Sequence, residues 1–357
     1  MSSPRHRRQP RARRRGGVAG VAVLVALAIV VGAHNFSPHR TPATTTGPTV
    51  SVSTSSTVSA ATTSAVGIIS LNITEPATAS HPVRFLKTLV RYPTAGAPGG
   101  RDVVGAQPLR TVAPYPLVIF SQGFDIQPEA YSRLLNSWAA AGYVVADPAY
   151  PFTSPNAPGG VVRTDIVRHP ADASFVISSL LRMNAEPGGS LSRLINPGEI
   201  GVIGQSDGGD VSLAITSNTC CRDARVKAAV ILSGAELSWF GGMYFATKGV
   251  PLLVVQGTND LTMNPVDCSV QLYNGAPQPK YYLSMIGQTH LSAYLSPGTP
   301  LRVVTRVTLD FLDAYLRHQT AKRSALNAAG TVPGVASITS RASVGPVAGS
   351  CPGAPTS

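Results

Sequence analysis

The sequence predicts an α/β fold with a mostly parallel central sheet and helices on both faces. Three observations carry this. From Val66 to about Thr320, short apolar runs alternate with longer amphipathic ones, the rhythm of successive βαβ units. Hydrophobic residues make up 43% of the chain and charged residues only 13%, which favours a large buried core over disorder. The alternating region spans about 255 residues and suits one domain better than two.

The elements follow in order. Val83–Tyr92 reads as a strand, followed by a Gly/Pro-rich turn and the apolar strand Pro116–Phe120. Pro128–Ala141 has helical spacing at Tyr131, Leu134, Leu135 and Trp138 and stops at Gly142. Tyr143–Ala146 is a strand, 153–163 a Pro/Gly-rich loop, and Pro170–Met183 a helix with proline in its first turn. Ile200–Gly204 is a buried strand leading into a helix from about Gly208 to Ser217. Val226–Leu232, Pro251–Gln256 and Lys280–Met285 are further strands, and Leu301–Leu316 is a closing helix.

The ends differ from this middle. The net charge of +12 resides in them: residues 1–40 hold eight Arg and no acid, and residues 317–357 hold four Lys/Arg and no acid. The middle balances 17 basic against 17 acidic residues, which argues against a nucleic-acid-binding face. An Arg-rich start, an uncharged apolar run from Gly16 to Ala33, and Val31 and Ala33 at the −3 and −1 positions read as a signal peptide over 1–33. The alternative is an uncleaved membrane anchor with its basic end inside. Either places the rest of the chain outside the cytoplasm, secreted or tethered to the membrane or cell envelope. Residues 34–65 read as a Ser/Thr/Pro-rich linker, 66–320 as the folded domain, and 321–357 as a disordered tail.

The chemistry concentrates in Gly204-Gln205-Ser206-Asp207-Gly208, a Gly-x-Ser-x-Gly string between an apolar strand and a helix. A serine on so sharp a turn needs small neighbours two residues away, and the helix N-terminus favours negative charge at the nucleophile. A serine alcohol needs a base. Of seven histidines, His290 alone follows a strand in a loop downstream of the serine. The imidazole needs an acid to fix its tautomer. Asp260 ends Gln256-Gly257-Thr258-Asn259-Asp260, at the C-terminal edge of a strand, with Glu236 as the rival. An oxyanion hole needs two N–H donors; the backbone of Asp207 and that of Phe124, in Ser121-Gln122-Gly123-Phe124, are the candidates.

These three strings and Gly287-Gln288-Thr289-His290 together resemble the α/β-hydrolase superfamily, and within it the dienelactone-hydrolase-like branch that includes platelet-activating-factor acetylhydrolases and bacterial cutinase-like polyester hydrolases. The resemblance covers about residues 83–320. It implies the α/β-hydrolase fold and a nucleophile at Ser206, acid at Asp260, base at His290 and oxyanion donor at Phe124. Gln122 and Gln205 stand where those families often have His. True dienelactone hydrolases use a Cys nucleophile, so the serine here points away from their substrate.

The expected activity is an exported carboxylic-ester hydrolase working through an acyl-enzyme, on a small-molecule or polymeric ester, with no metal or organic cofactor. An amidase or acyltransferase on the same triad, or a non-catalytic envelope protein keeping the fold, are the alternatives. The 17 residues 233–249 hold one short helical turn at most, so no large lid is expected. Trp239 and Phe240 become candidate walls of an open cleft. Of the four cysteines, one bridge is expected between Cys220 or Cys221 and Cys268, since adjacent Cys220 and Cys221 would be strained if joined to each other.

Overall fold

The computed structural model describes residues 63–79, 81–99, 102–346 and 351. The expected leader at 1–33 and all but the last residues of the linker lie outside the described residues. Among the described residues no helix is long and apolar enough to cross a membrane.

Ten strands form one sheet in the order β10-β9-β8-β7-β6-β4-β5-β2-β1-β3. Its centre is parallel: β5 (Val144–Ala149), β4 (Tyr115–Ser121), β6 (Ile195–Gln205), β7 (Val226–Leu232), β8 (Leu252–Gly257) and β9 (Lys280–Met285) run the same way. One edge carries the antiparallel hairpin β1 (Ala65–Glu75) and β2 (Arg84–Thr94), with the short β3 (Val103–Val104) beyond it. The other edge is closed by β10 (Ala336–Thr339), antiparallel to β9. The parallel strands read as continuous apolar runs because both faces are covered.

Alternation along each strand divides the core in two. Val118, Phe120, Val230 and Leu232 face α1 (Ser132–Ala140), α6 (Thr299–Tyr315) and α7 (Thr320–Gly330). Leu117, Ile119, Ala229 and Ile231 face α2 (His169–Ala185), α3 (Asp207–Ser217) and α4 (Val266–Gly275). Across the first layer the Trp138 indole N–H donates to the Thr308 hydroxyl at 2.9 Å, joining α1 to α6. A one-turn helix, α5 (Ser292–Leu295), follows the histidine loop. The expected helix over 128–141 begins as a 3₁₀ turn at Pro128–Tyr131 before α1, and ends where expected, with Gly142 at φ 95°.

Two expectations are corrected. The chain beyond 320 is not a disordered tail throughout, because α7 and β10 belong to the domain. Leu326 and Ala329 are buried, and a Cβ at Gly330 would lie 2.7 Å from the Ile338 Cβ, so helix and strand are in close contact. The disulfide joins Cys220 to Cys221, while Cys268 and Cys351 are buried thiols. The reason is placement. Cys220 and Cys221 lie at the surface turn after α3, whereas Cys268 sits inside α4 against Ala235 and Cys351.

The segment after β7 contains a single 3₁₀ turn, Ser238–Phe240. Its far half is tied to the end of α3: Thr219 N–H donates to the Met243 carbonyl at 3.1 Å, and Phe245 N–H to the Ser217 carbonyl at 2.7 Å. Asn218 Nδ2 adds a bond to the Gly241 carbonyl at 2.9 Å. With both ends held by backbone bonds, it forms a fixed rim rather than a helical lid.

Candidate active site

The sheet reverses its winding at β4, which has β5 on one side and β6 on the other. Such a switch point opens a crevice beyond the carboxyl ends of the strands. The predicted residues lie there, after β4 (Phe124), β6 (Ser206), β8 (Asp260) and β9 (His290).

Ser206 occupies the turn between β6 and α3 at φ 57°, ψ −127°, a conformation costly for a non-glycine residue. Its N–H donates to the Leu232 carbonyl at 2.9 Å, which pins the turn to β7. The flanking glycines are sterically required. A Cβ on Gly204 would come within 1.9 Å of the Gly208 carbonyl oxygen, and one on Gly208 within 2.0 Å of the Ser121 carbonyl oxygen. The Gly-x-Ser-x-Gly spacing therefore follows from how tightly β6, α3 and the end of β4 converge.

The three predicted polar side chains meet. Ser206 Oγ lies 2.8 Å from His290 Nε2, and His290 Nδ1 lies 2.6 Å from Asp260 Oδ2. With Nδ1 carrying its proton to the carboxylate, Nε2 is left to accept from the serine hydroxyl. Asp260 is 2% exposed and held in turn: Asn264 N–H donates to its Oδ1 at 3.1 Å and Gln256 Nε2 to its Oδ2 at 3.3 Å. The acid turn and the histidine loop are also joined directly, through Asn259 N–H to the Gln288 carbonyl at 2.9 Å and Gly287 N–H to the Thr258 hydroxyl at 2.8 Å. The rival acid Glu236 is not the partner of His290.

The loop after β4 runs against Ser206, since a Cβ on Gly123 would stand 3.3 Å from Ser206 Cβ. This places the Gly123–Phe124 backbone beside the serine. Asp207 begins α3, where the first-turn N–H groups have no partner within the helix.

Gln205 explains what replaces the histidine often found at its position. Fully buried, it accepts from the Tyr131 hydroxyl at 2.7 Å, and that hydroxyl accepts from the Gly123 N–H at 3.2 Å. Its Nε2 donates to the His290 carbonyl at 3.1 Å. One amide thus links the loop after β4 to the histidine loop. Gln122 points the other way, donating to the Ser154 hydroxyl at 3.2 Å.

Sequence reasoning missed Arg163. Its Nη2 lies 2.6 Å from Asp207 Oδ1 and its Nε 3.0 Å from Oδ2, a two-pronged pair on the residue after Ser206. The same guanidinium lies 5.5 Å from the centre of the Trp239 ring. Trp239 is 45% exposed on the rim, as a cleft wall would be. Phe240 corrects the expected wall: it packs on Ile166, Val211 and Leu237 beneath the loop. One turn into α3, the Ala235 N–H donates to Asp210 Oδ1 at 2.6 Å, and burial, then the neighbouring Asp207 charge, pushes the Asp210 carboxyl well above its usual range.

The segment carrying Arg163 is anchored by charge. Arg84, 2% exposed, bonds Asp165 at 2.7 and 2.9 Å and Asp172 at 2.6 Å through two nitrogens. His169 stacks on Tyr150 with ring centres 3.9 Å apart and touches Thr153. Among the described residues Asp165, His169 and Asp172 alone have spacing suited to a metal, but the Arg84 guanidinium already supplies the cation between the two carboxylates.

The fold is that of the α/β hydrolases. A solved structure described as ferulic acid esterase from Streptomyces cinnamoneus superposes with a TM-score of 0.55 at 20% identity, covering 71% of this chain and 91% of its own. No family model matches the sequence, and no curated protein does.

Proposed function

We propose that this chain is a serine hydrolase that cleaves carboxylic esters. The observation carrying the proposal is the continuous hydrogen-bonded line from Ser206 Oγ through His290 to Asp260, at 2.8 and 2.6 Å. In this reading His290 Nε2 takes the serine proton as Oγ attacks the ester carbonyl, and Asp260 stabilises the imidazolium. The N–H groups of Phe124 and Asp207 receive the developing oxyanion. His290 then protonates the departing alcohol, and a water activated by the same base releases the acid. The structural neighbour's description as an esterase supports the ester class, and the resemblance to the dienelactone-hydrolase-like branch supports it independently.

The same reading places the domain outside the cytoplasm, on the strength of the Arg-rich start and apolar run of residues 1–33. A mature N-terminus near His34, found in secreted protein, is the expected result; intact protein with Met1 in the cytosol would refute it.

A fluorophosphonate probe followed by mass spectrometry tests the nucleophile without a guess at the substrate. Labelling is expected at Ser206 alone. Ser206→Ala should lose labelling and lower p-nitrophenyl ester turnover by about 10⁴-fold or more, with the fold intact. Labelling at another residue, or none on folded protein, would refute the proposal.

A further inference from the structure

Two cysteines stand outside the Cys220–Cys221 bridge. Cys268 lies in α4 and Cys351 near the end of the chain, with exposures of 2% and 7%. They pack with Ala235 in one small buried cluster. This proximity is built by the chain after β10, which turns back along α4. The Tyr273 hydroxyl donates to the Arg341 carbonyl at 2.6 Å, and Gln278 Nε2 to the Ser340 carbonyl at 3.0 Å. Asn274 receives the Val344 N–H at 3.1 Å and donates to the Gly345 carbonyl at 2.9 Å.

We propose that Cys268 and Cys351 are oxidised to a disulfide that ties the end of the chain to α4. The two thiols give up two protons and two electrons to a disulfide oxidant such as oxidised glutathione, which leaves as two thiols, and one S–S bond forms between the sulfurs. The bridge closes a loop containing β9, His290, α6, α7 and β10. Its anchor is functionally placed, because α4 follows directly on the acid turn whose Asn264 holds Asp260. Without the bridge, the segment beyond β10 is held on α4 largely by hydrogen bonds near the surface, each individually weak. Burial pushes both thiols above their ordinary range, so they form thiolates poorly once packed. Oxidation accordingly belongs to folding, before the cluster closes, and the finished bond resists reduction.

The test uses the full chain refolded with oxidised and reduced glutathione, alkylated and digested without reductant. The expected product is a peptide pair joining Cys268 to Cys351, which separates on reduction. In a Cys220→Ala/Cys221→Ala background, Cys268→Ala and Cys351→Ala should each lower the Tm of the oxidised protein by roughly 5–15 °C. The variant lacking both should fall no further, and reductant should erase most of the difference. Both residues recovered as alkylated thiols from folded, oxidised protein, or Cys351 joined to Cys220 or Cys221, would overturn the proposal. So would a Tm that the single substitutions leave unchanged. Each readout is independent of ester hydrolysis.

Discussion

The side-chain amide of Gln205 donates to the backbone carbonyl of His290, 3.1 Å away. The residue next to Ser206 thereby fixes the loop that carries His290, and through Tyr131 it also reaches the Gly123 N–H. Gln205→Ala leaves the proton of the buried Tyr131 hydroxyl and the His290 carbonyl without partners and frees the histidine loop. A fall in kcat of about 10–100-fold with KM nearly unchanged is expected, since small misplacements of reacting groups cost rates of this order. Gln205→His can accept from Tyr131 on one ring nitrogen and donate to the carbonyl from the other, so it should recover most of the loss. Steady-state kinetics on the two variants decide this, and equal activity of Gln205→Ala and wild type would exclude a positioning role.

Arg163 and Asp207 form a neutral pair beside the proposed oxyanion site. Arg163→Ala leaves a carboxylate next to a developing negative charge. Arg163 is about half exposed, so solvent screens the effect, and a decrease in kcat of about tenfold is the expected scale. Adding Asp207→Asn to Arg163→Ala removes the repulsion and should restore kcat. If the double variant is no faster than the single one, Arg163 acts by contact with Trp239 or substrate instead of by charge.

The fixed rim after β7 limits how much of an acyl chain can be covered. Each buried CH₂ contributes only about 0.8 kcal/mol, and the gain ends where the chain leaves protein. Activity on p-nitrophenyl esters should peak at roughly C2–C8 and show no jump above the solubility limit. An optimum at C14–C18, or activation by an emulsion, would show that the rim opens as a lid.

Asp147 on β5 is fully buried, and neither carboxylate oxygen has a hydrogen bond; its nearest cation is Arg91 Nη1 at 3.6 Å. Burial pushes its carboxyl up to about 7, against the weaker downward pull of Arg91. An unfolded aspartate loses its proton near pH 4. Between about pH 4 and 7 the folded state therefore holds a proton that the unfolded state has released, and this group makes stability fall as pH rises through that window. Above it the contribution is constant. Asp147→Asn removes that contribution, so the Tm difference between variant and wild type should change across the window and level off beyond it. Parallel Tm curves from pH 4 to 8 would contradict the assignment.

How much of this was legible depended on the range of each constraint. The clash that requires Gly204 lies within five residues, so the glycines announce the turn at Ser206, although Gly208 is required by Ser121 from β4. Asp260 and His290 each follow a strand that apolar pattern reveals, and their order along the chain does the rest. Arg163 meets Asp207 across 44 residues, and nothing near either position signals the pairing. Gln256 and Gln205 stood within the motifs, yet their bonds to Asp260, Tyr131 and His290 exist only once strands and loops are assembled. The last helix and strand escaped notice because Ala, Ser and Gly dominate there. Their packing depends on closeness, as at Gly330 against Ile338, rather than on large apolar side chains. Cysteine partners followed the same rule, being set by where α4 and the end of the chain meet.

The pairing of β10 with β9, from Ala336 opposite Met285 to Thr339 opposite Tyr282, also sets an order in time. A ribosome delivers Ser206, Asp260 and His290 well before it delivers residue 336. A nascent chain at that stage has every catalytic candidate but leaves β9, the strand leading to His290, as a bare edge able to recruit a strand from a neighbouring copy. The final elements therefore act as a closing seal. A chain cut near 320 would keep every catalytic candidate and expose that edge to pairing with a neighbouring copy.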